Sequence, residues 1–112
     1  MNSKVTDDSS VEDRIRTTLQ DSPDLVAAYF FGSTARERAH ALSDVDVAVL
    51  FAPELSAEAM FARTLEIGAM LDAALRRAVD VIALNRASPV LCFQVLKHGR
   101  CPLTYSPRRL RA

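Results

Sequence analysis

The sequence carries no surplus of charge of either sign. Fourteen Lys and Arg residues balance fourteen Asp and Glu, so bulk electrostatics point to neither a nucleic acid nor a membrane surface, and only a local patch could serve either. Cysteine is scarce as well. Cys92 and Cys101 are the two, with neither the spacing of metal ligands nor the density of a secreted disulfide scaffold. Cys92 falls in a helical apolar pattern and reads as a buried, reduced thiol. No apolar stretch approaches the roughly 18 residues that span a bilayer. Met1–Glu12 is polar and acidic, without the basic start and apolar run of a secretory leader, so the expected compartment is the cytoplasm. There is no internal repeat and no low-complexity segment.

What is present is an ordinary globular composition. The chain has 112 residues, 49% hydrophobic and 25% charged, enough apolar volume for one core but not for two. Residues 1–8 read as a poorly ordered polar lead, 9–105 as the domain, and 106–112 as a tail whose Arg108, Arg109 and Arg111 are expected to be solvated. Ser9 and Glu12 fit a capping box for a first helix with Val11, Ile15 and Leu19 on one side, ended by Pro23. The continuous apolar run Leu25–Phe31 predicts a buried strand, punctuated by Gly32. Ser33–Ala39 is composed of helix formers and predicts a short helix.

Ser43–Phe51 is β-branched with aspartates two apart, hence a second strand. Ser56 caps a long helix over Ala57–Arg77, in which Phe61, Leu65, Gly68, Leu71 and Leu75 form one apolar stripe. Val79–Leu84 predicts a third strand. Ser88 and Pro89 open a last helix that Gly99 stops, and Leu103–Tyr105 adds a short edge strand, since Pro102 has no amide to donate to a central ladder. His40 and His98 read as surface residues. The order α-β-α-β-α-β-α-β predicts an α/β fold, a small sheet flanked by helices. The link from Phe31 to Asp44 is barely long enough for a crossover, so the first two strands are expected to be antiparallel and the sheet mixed.

Three carboxylates carry the chemistry. Side chains at i and i+2 of a strand share a face, so Asp44 and Asp46 project together while Val45 and Val47 face the core. An isolated D-x-D more often merely opens a strand. Asp80 adds weight, because it stands between Val79 and Val81 in another strand, where a carboxylate is costly unless paired or bound. Hard cations such as Mg²⁺ relieve such repulsion, and a third carboxylate completes a site for two of them. Gly32 and Ser33 add an anion-binding half: the glycine admits a ligand close to the backbone, and amides opening the next helix point at anions. Arg36, one turn on, shares the Ser33 face.

Gly32-Ser33-Thr34-Ala35-Arg36 followed by Ser43-Asp44-Val45-Asp46-Val47-Ala48-Val49 resembles the signature of the DNA polymerase beta-type nucleotidyltransferases. The G-S-x-A-R opening, the short length and the late V-D-V strand resemble the minimal nucleotidyltransferases (MNT) in particular, over Val26 to Leu84. This resemblance implies the nucleotidyltransferase fold. It implies Asp44, Asp46 and Asp80 as ligands of two Mg²⁺ ions, Asp80 also as base toward the acceptor, and Gly32, Ser33 and Arg36 at the triphosphate of ATP. One position departs: members usually have glycine where this chain has Glu37, and a carboxylate facing a triphosphate is unfavourable.

Larger relatives grip the acceptor with a further domain, for which this length leaves no room. Minimal nucleotidyltransferases commonly act as antitoxins beside a helical HEPN-domain ribonuclease, some of them attaching AMP to its tyrosine. The resemblance therefore implies transfer of AMP from ATP to a tyrosine of a HEPN toxin. The alternatives are a non-catalytic antitoxin that neutralises its partner by occlusion, and a small-molecule nucleotidyltransferase of the antibiotic-modifying kind.

Overall fold

The computed structural model describes residues 8–31 and 45–104. Helix α1 spans Asp8–Leu19, strand β1 Leu25–Phe31, β2 Val45–Phe51, helix α2 Ala57–Leu75, β3 Val79–Ala83, a 3₁₀ turn Leu84–Arg86, α3 Pro89–His98 and β4 Arg100–Thr104. The strands form one sheet in the order β3-β2-β1-β4. β1 runs antiparallel to β2 and to β4, and β2 runs parallel to β3, so the sheet is mixed as the short Phe31–Asp44 link requires. The helix expected over Ser33–Ala39, the lead 1–7 and the tail from Tyr105 lie outside the described residues.

β1 is apolar throughout because both of its faces are covered. Ala28 and Phe30 join Val45, Val47, Val49 and Phe51 of β2 in a core roofed by α1 and α2. On the other face, Ala48 of β2 packs with Val95 of α3 and with Leu84, flanked by Leu50 and Ile82. A bulge between Leu25 and Ala27 switches which residues of β1 face which side. Each helix thus has a definite job: α1 and α2 close one face, and α3 closes part of the other.

Local signals set most helix ends. Ser56 accepts a hydrogen bond from Ala59 N at 3.1 Å and Ser88 one from Leu91 N at 3.2 Å, satisfying amides that have no partner within the helix. Pro89 sits in the first turn of α3, and the Gly99 amide donates back to the Val95 carbonyl. α1 begins at Asp8, so Ser9 is inside the helix rather than its cap. Asp8, Ser9 and Ser10 are all cap formers, and such a run leaves the first residue degenerate. α2 ends at Leu75, not Arg77, because Arg76 adopts the left-handed conformation at φ 56°. β3 stops at Ala83, with Leu84 beginning the 3₁₀ turn, and β4 starts at Arg100, ahead of the expected Leu103.

One expectation holds only in part at α2: Leu71 and Leu75 of the expected stripe are buried, Phe61 and Leu65 are not. Met60, Ile67, Leu71 and Leu75 are the buried residues of this helix, whereas Phe61 and Leu65 are 68% and 61% exposed. α2 is apolar on several sides, so two overlapping stripes that share Leu71 and Leu75 compete in its first turns, and periodicity alone does not choose between them. Packing against α1 and the sheet selects the Met60–Leu75 stripe, in which each of Ile67, Leu71 and Leu75 is wholly buried, a gain of roughly 1.5–3 kcal/mol apiece. Cys92 is a free thiol, half-buried rather than buried, with its Sγ 3.7 Å from the Leu84 carbonyl oxygen. Among the described residues no helix is long and apolar enough to cross a membrane.

Candidate active site

Asp46 and Asp80 are the second residues of β2 and β3. The parallel register places them directly beside each other, followed by Val47 beside Val81 and Ala48 beside Ile82. Neighbouring strands lie about 4.8 Å apart, and residues in register on parallel strands share a face. Both carboxylates therefore project from the face that carries Ala48 and Ile82. The α3-side cluster takes in Ala48 and Ile82. One pleat further along, it leaves Asp46 half-buried and Asp80 exposed. The acidic pair thus sits where the apolar cover of the sheet stops.

Across the pair from Asp80, the neighbour of Asp46 is Phe31, the last residue of β1. The described chain breaks off at Phe31 and resumes at Val45, so both ends of that segment flank Asp46. Gly32, Ser33, Arg36, Glu37 and Asp44 belong to it and lie outside the described residues. Of the six candidate site residues, the structure brings together Asp46 and Asp80. Among the described residues no cluster of three His, Cys, Asp or Glu side chains forms. The pair nevertheless suits a hard divalent cation: two carboxylates side by side on neighbouring strands, one half-buried and one exposed, offer it oxygen donors.

Two side chains that hold β2 and β3 have no signature in a motif, Asp72 at the end of the sheet that carries the pair and Asn85 at the opposite end. Asn85, in the 3₁₀ turn, accepts from Phe51 N at 2.8 Å and donates to the Phe51 carbonyl at 3.0 Å, pairing with the end of β2 as a further strand would. Asp72, in the last turn of α2, accepts from Val79 N at 2.8 Å. A signal for Asp72 does exist in the sequence: an acid in a helix's last turn opposes the macrodipole, which hints at a tertiary role. On the far side of the molecule, Arg63 of α2 forks onto Asp24, Nε to Oδ2 at 2.5 Å and Nη2 to Oδ1 at 3.2 Å. These bonds, reinforced by Glu66 and outweighing burial, raise the guanidinium's pKa and tie α2 to the turn before β1.

A mixed sheet with helices on both faces and a carboxylate pair in register on two parallel strands defines a class of small α/β domains built around an acidic site. The chain belongs to the polymerase beta nucleotidyltransferase family, whose sequence profile matches residues 13–107. It is similar to the protein adenylyltransferase MntA of Shewanella oneidensis, 39% identical over 90 residues, which are 80% of this chain and 62% of that protein. The chain thus spans less than two thirds of that relative's length. Its fold resembles the MntA–HepT toxin–antitoxin structure at a TM-score of 0.64 and 31% identity, covering 90% of this chain and 76% of that one. A toxin–antitoxin structure with AMP-PNP matches at 0.64 and 35% identity, over 88% and 77% of the two chains. A complex of a tri-AMPylated HEPN toxin with an MNT antitoxin, also from Shewanella oneidensis, matches at 0.63 and 34%, over 87% and 72%.

Proposed function

We propose that this protein is a Mg²⁺-dependent protein adenylyltransferase that moves AMP from ATP to a tyrosine of a HEPN-type toxin, and so serves as that toxin's antitoxin in the cytoplasm. The observation that carries the reading is the register of Asp46 with Asp80, two carboxylates side by side on neighbouring parallel strands. The relatives support it by what they are: an adenylyltransferase, a complex with an ATP analogue, and a complex with an AMPylated toxin.

In this reading Asp44, Asp46 and Asp80 hold two Mg²⁺ ions, which when bound neutralise the triphosphate and stabilise the attacking and leaving oxygens. Gly32 and Ser33 bind the triphosphate through backbone amides and a hydroxyl, with Arg36 beside them. Asp80, the more exposed of the described pair, takes the proton of the tyrosine hydroxyl, whose ordinary pKa near 10 keeps it protonated at neutral pH. The phenolic oxygen then bonds to the α-phosphorus, the bond from that phosphorus to the β-phosphate bridge breaks, and pyrophosphate leaves. Positioning contributes much of such a rate, and in this reading the partner's surface supplies it.

The test is incubation of the protein with labelled ATP, Mg²⁺ and the product of the neighbouring gene, followed by intact-mass analysis. One or more AMP additions on the partner are expected. A partner that binds unmodified, and whose toxicity is still neutralised by an Asp44/Asp46 double variant, replaces transfer with occlusion, the reading that Glu37 favours. Modification of small hydroxylated compounds with no partner bound overturns both antitoxin readings.

A further inference from the structure

Asp72 closes the turn between α2 and β3 with two different groups. Its carbonyl accepts from Arg76 N at 2.8 Å, and its carboxylate Oδ1 accepts from Val79 N at 2.8 Å. The second bond meets a need set by the sheet. Val45 N donates to the Ala78 carbonyl at 3.2 Å, so that carbonyl faces β2. Backbone groups alternate along a strand, so the next amide, that of Val79, faces away from β2. β3 is the outermost strand on this side, and among the described residues no further strand lies there to accept that amide. A carboxylate acceptor makes the bond charge-assisted and roughly twice as strong as a neutral one.

The placement of Asp72 has a local cost. It lies in the last turn of α2, which itself holds no basic residue although Arg76 and Arg77 follow it, and there the helix dipole disfavours an acid. What it gains there is the tie to Val79, one residue before Asp80. Strands at the edge of a sheet open locally, starting from their ends, and for β3 that end carries the acidic pair.

We propose that Asp72 is a positioning residue for the site: by anchoring the outer edge of β3 at Val79, its carboxylate holds closed the end of the ladder at which Asp80 stands beside Asp46. The inference deepens the adenylyl-transfer reading and rests on it for its catalytic consequence, but the anchoring has its own readout.

The experiment compares Asp72→Ala and Asp72→Asn in the full chain, by amide hydrogen exchange and by AMP transfer to the partner. Asparagine keeps an oxygen acceptor in the same place. Asp72→Ala is expected to lose protection at the Asp80 and Ile82 amides by about tenfold or more, the scale of a lost hydrogen bond to a charged group. The β1–β2 amides keep theirs. The kcat for transfer should fall by a similar factor with the KM for ATP nearly unchanged, and Asp72→Asn should recover most of both. Unchanged protection at Asp80 in Asp72→Ala overturns the proposal, whether or not the protein transfers AMP. So does lost protection with an unchanged kcat. If the wild-type protein transfers no AMP while Asp72→Ala loses protection at Asp80, the transfer reading fails and the anchoring stands. Should Asp72→Ala not fold, Asp72→Asn decides: a folded variant with wild-type protection at Asp80 supports the acceptor role, and a folded variant that has lost it overturns the role.

Discussion

Asp46 and Asp80 stand directly beside each other on neighbouring parallel strands although 34 positions separate them in the chain. Their side chains leave the sheet one pleat before Ala48 and Ile82 enter the apolar cluster around α3. The same ladder that builds the core therefore builds the candidate site, and whatever disturbs the pairing of β2 with β3 disturbs both.

Nucleotide binding should depend on divalent cations. Like-charged carboxylates repel a triphosphate unless cations lie between them. Calorimetric titration of ATP is expected to show binding with Mg²⁺ and a much weaker interaction with chelator. Equal affinity in the two conditions would remove the metal from the site.

Asp46→Asn should lower transfer by about 10²–10³, the loss typical of one preorganised electrostatic group. It changes charge but hardly any shape, and Asp46 is half-exposed, so the unfolding free energy should stay within about 1 kcal/mol of wild type. Full activity in this variant would make the carboxylate structural.

Asn85→Ala should destabilise the domain by about 1–3 kcal/mol, because it strands the Phe51 amide and carbonyl at the end of β2. Asn85→Asp keeps the acceptor but loses the donor to the Phe51 carbonyl, and should not restore stability. Thermal melts of both variants check this, and a wild-type midpoint for Asn85→Ala would mean water replaces the side chain at no cost.

Gly68→Ala should stabilise the domain by roughly 0.5–1 kcal/mol, the helix-interior difference between the two residues. A Cβ at Gly68 would meet Val81 Cγ2 at 3.8 Å, an ordinary contact that adds packing between α2 and β3 without strain. Chemical denaturation measures the shift. A destabilised variant would show that α2 and β3 pack more tightly than this spacing.

Much of the architecture was legible in the sequence because it depends on local physics. Ser56, Ser88, Pro89 and Gly99 mark helix ends through hydrogen bonds and φ preferences that act within one turn. The uniform apolarity of Leu25–Phe31 announced a strand buried on both faces, and the short link after it announced the antiparallel turn-back. The strands that carry Asp46 and Asp80 were legible as well, and a carboxylate among β-branched residues asks for an explanation wherever its strand ends up.

What no local pattern could decide was which neighbours each side chain meets. α2 offers two overlapping apolar stripes, and only its contact with α1 and the sheet buries Met60 and Ile67 while leaving Phe61 and Leu65 in solvent. The left-handed Arg76 has no glycine to announce it; the turn into β3 imposes it. Asn85 acts on a backbone group 34 residues away, an ordinary polar residue until the chain folds, and Asp72 on one seven residues away, marked only by its unfavourable place in the helix. The sequence by itself determined the described strands and helices and those ends marked by Ser56, Ser88 and Gly99, because these follow from interactions within a few residues. The tertiary structure alone decided the register that sets Asp46 beside Asp80, because strand pairing joins distant segments and is selected by the packing of the whole core.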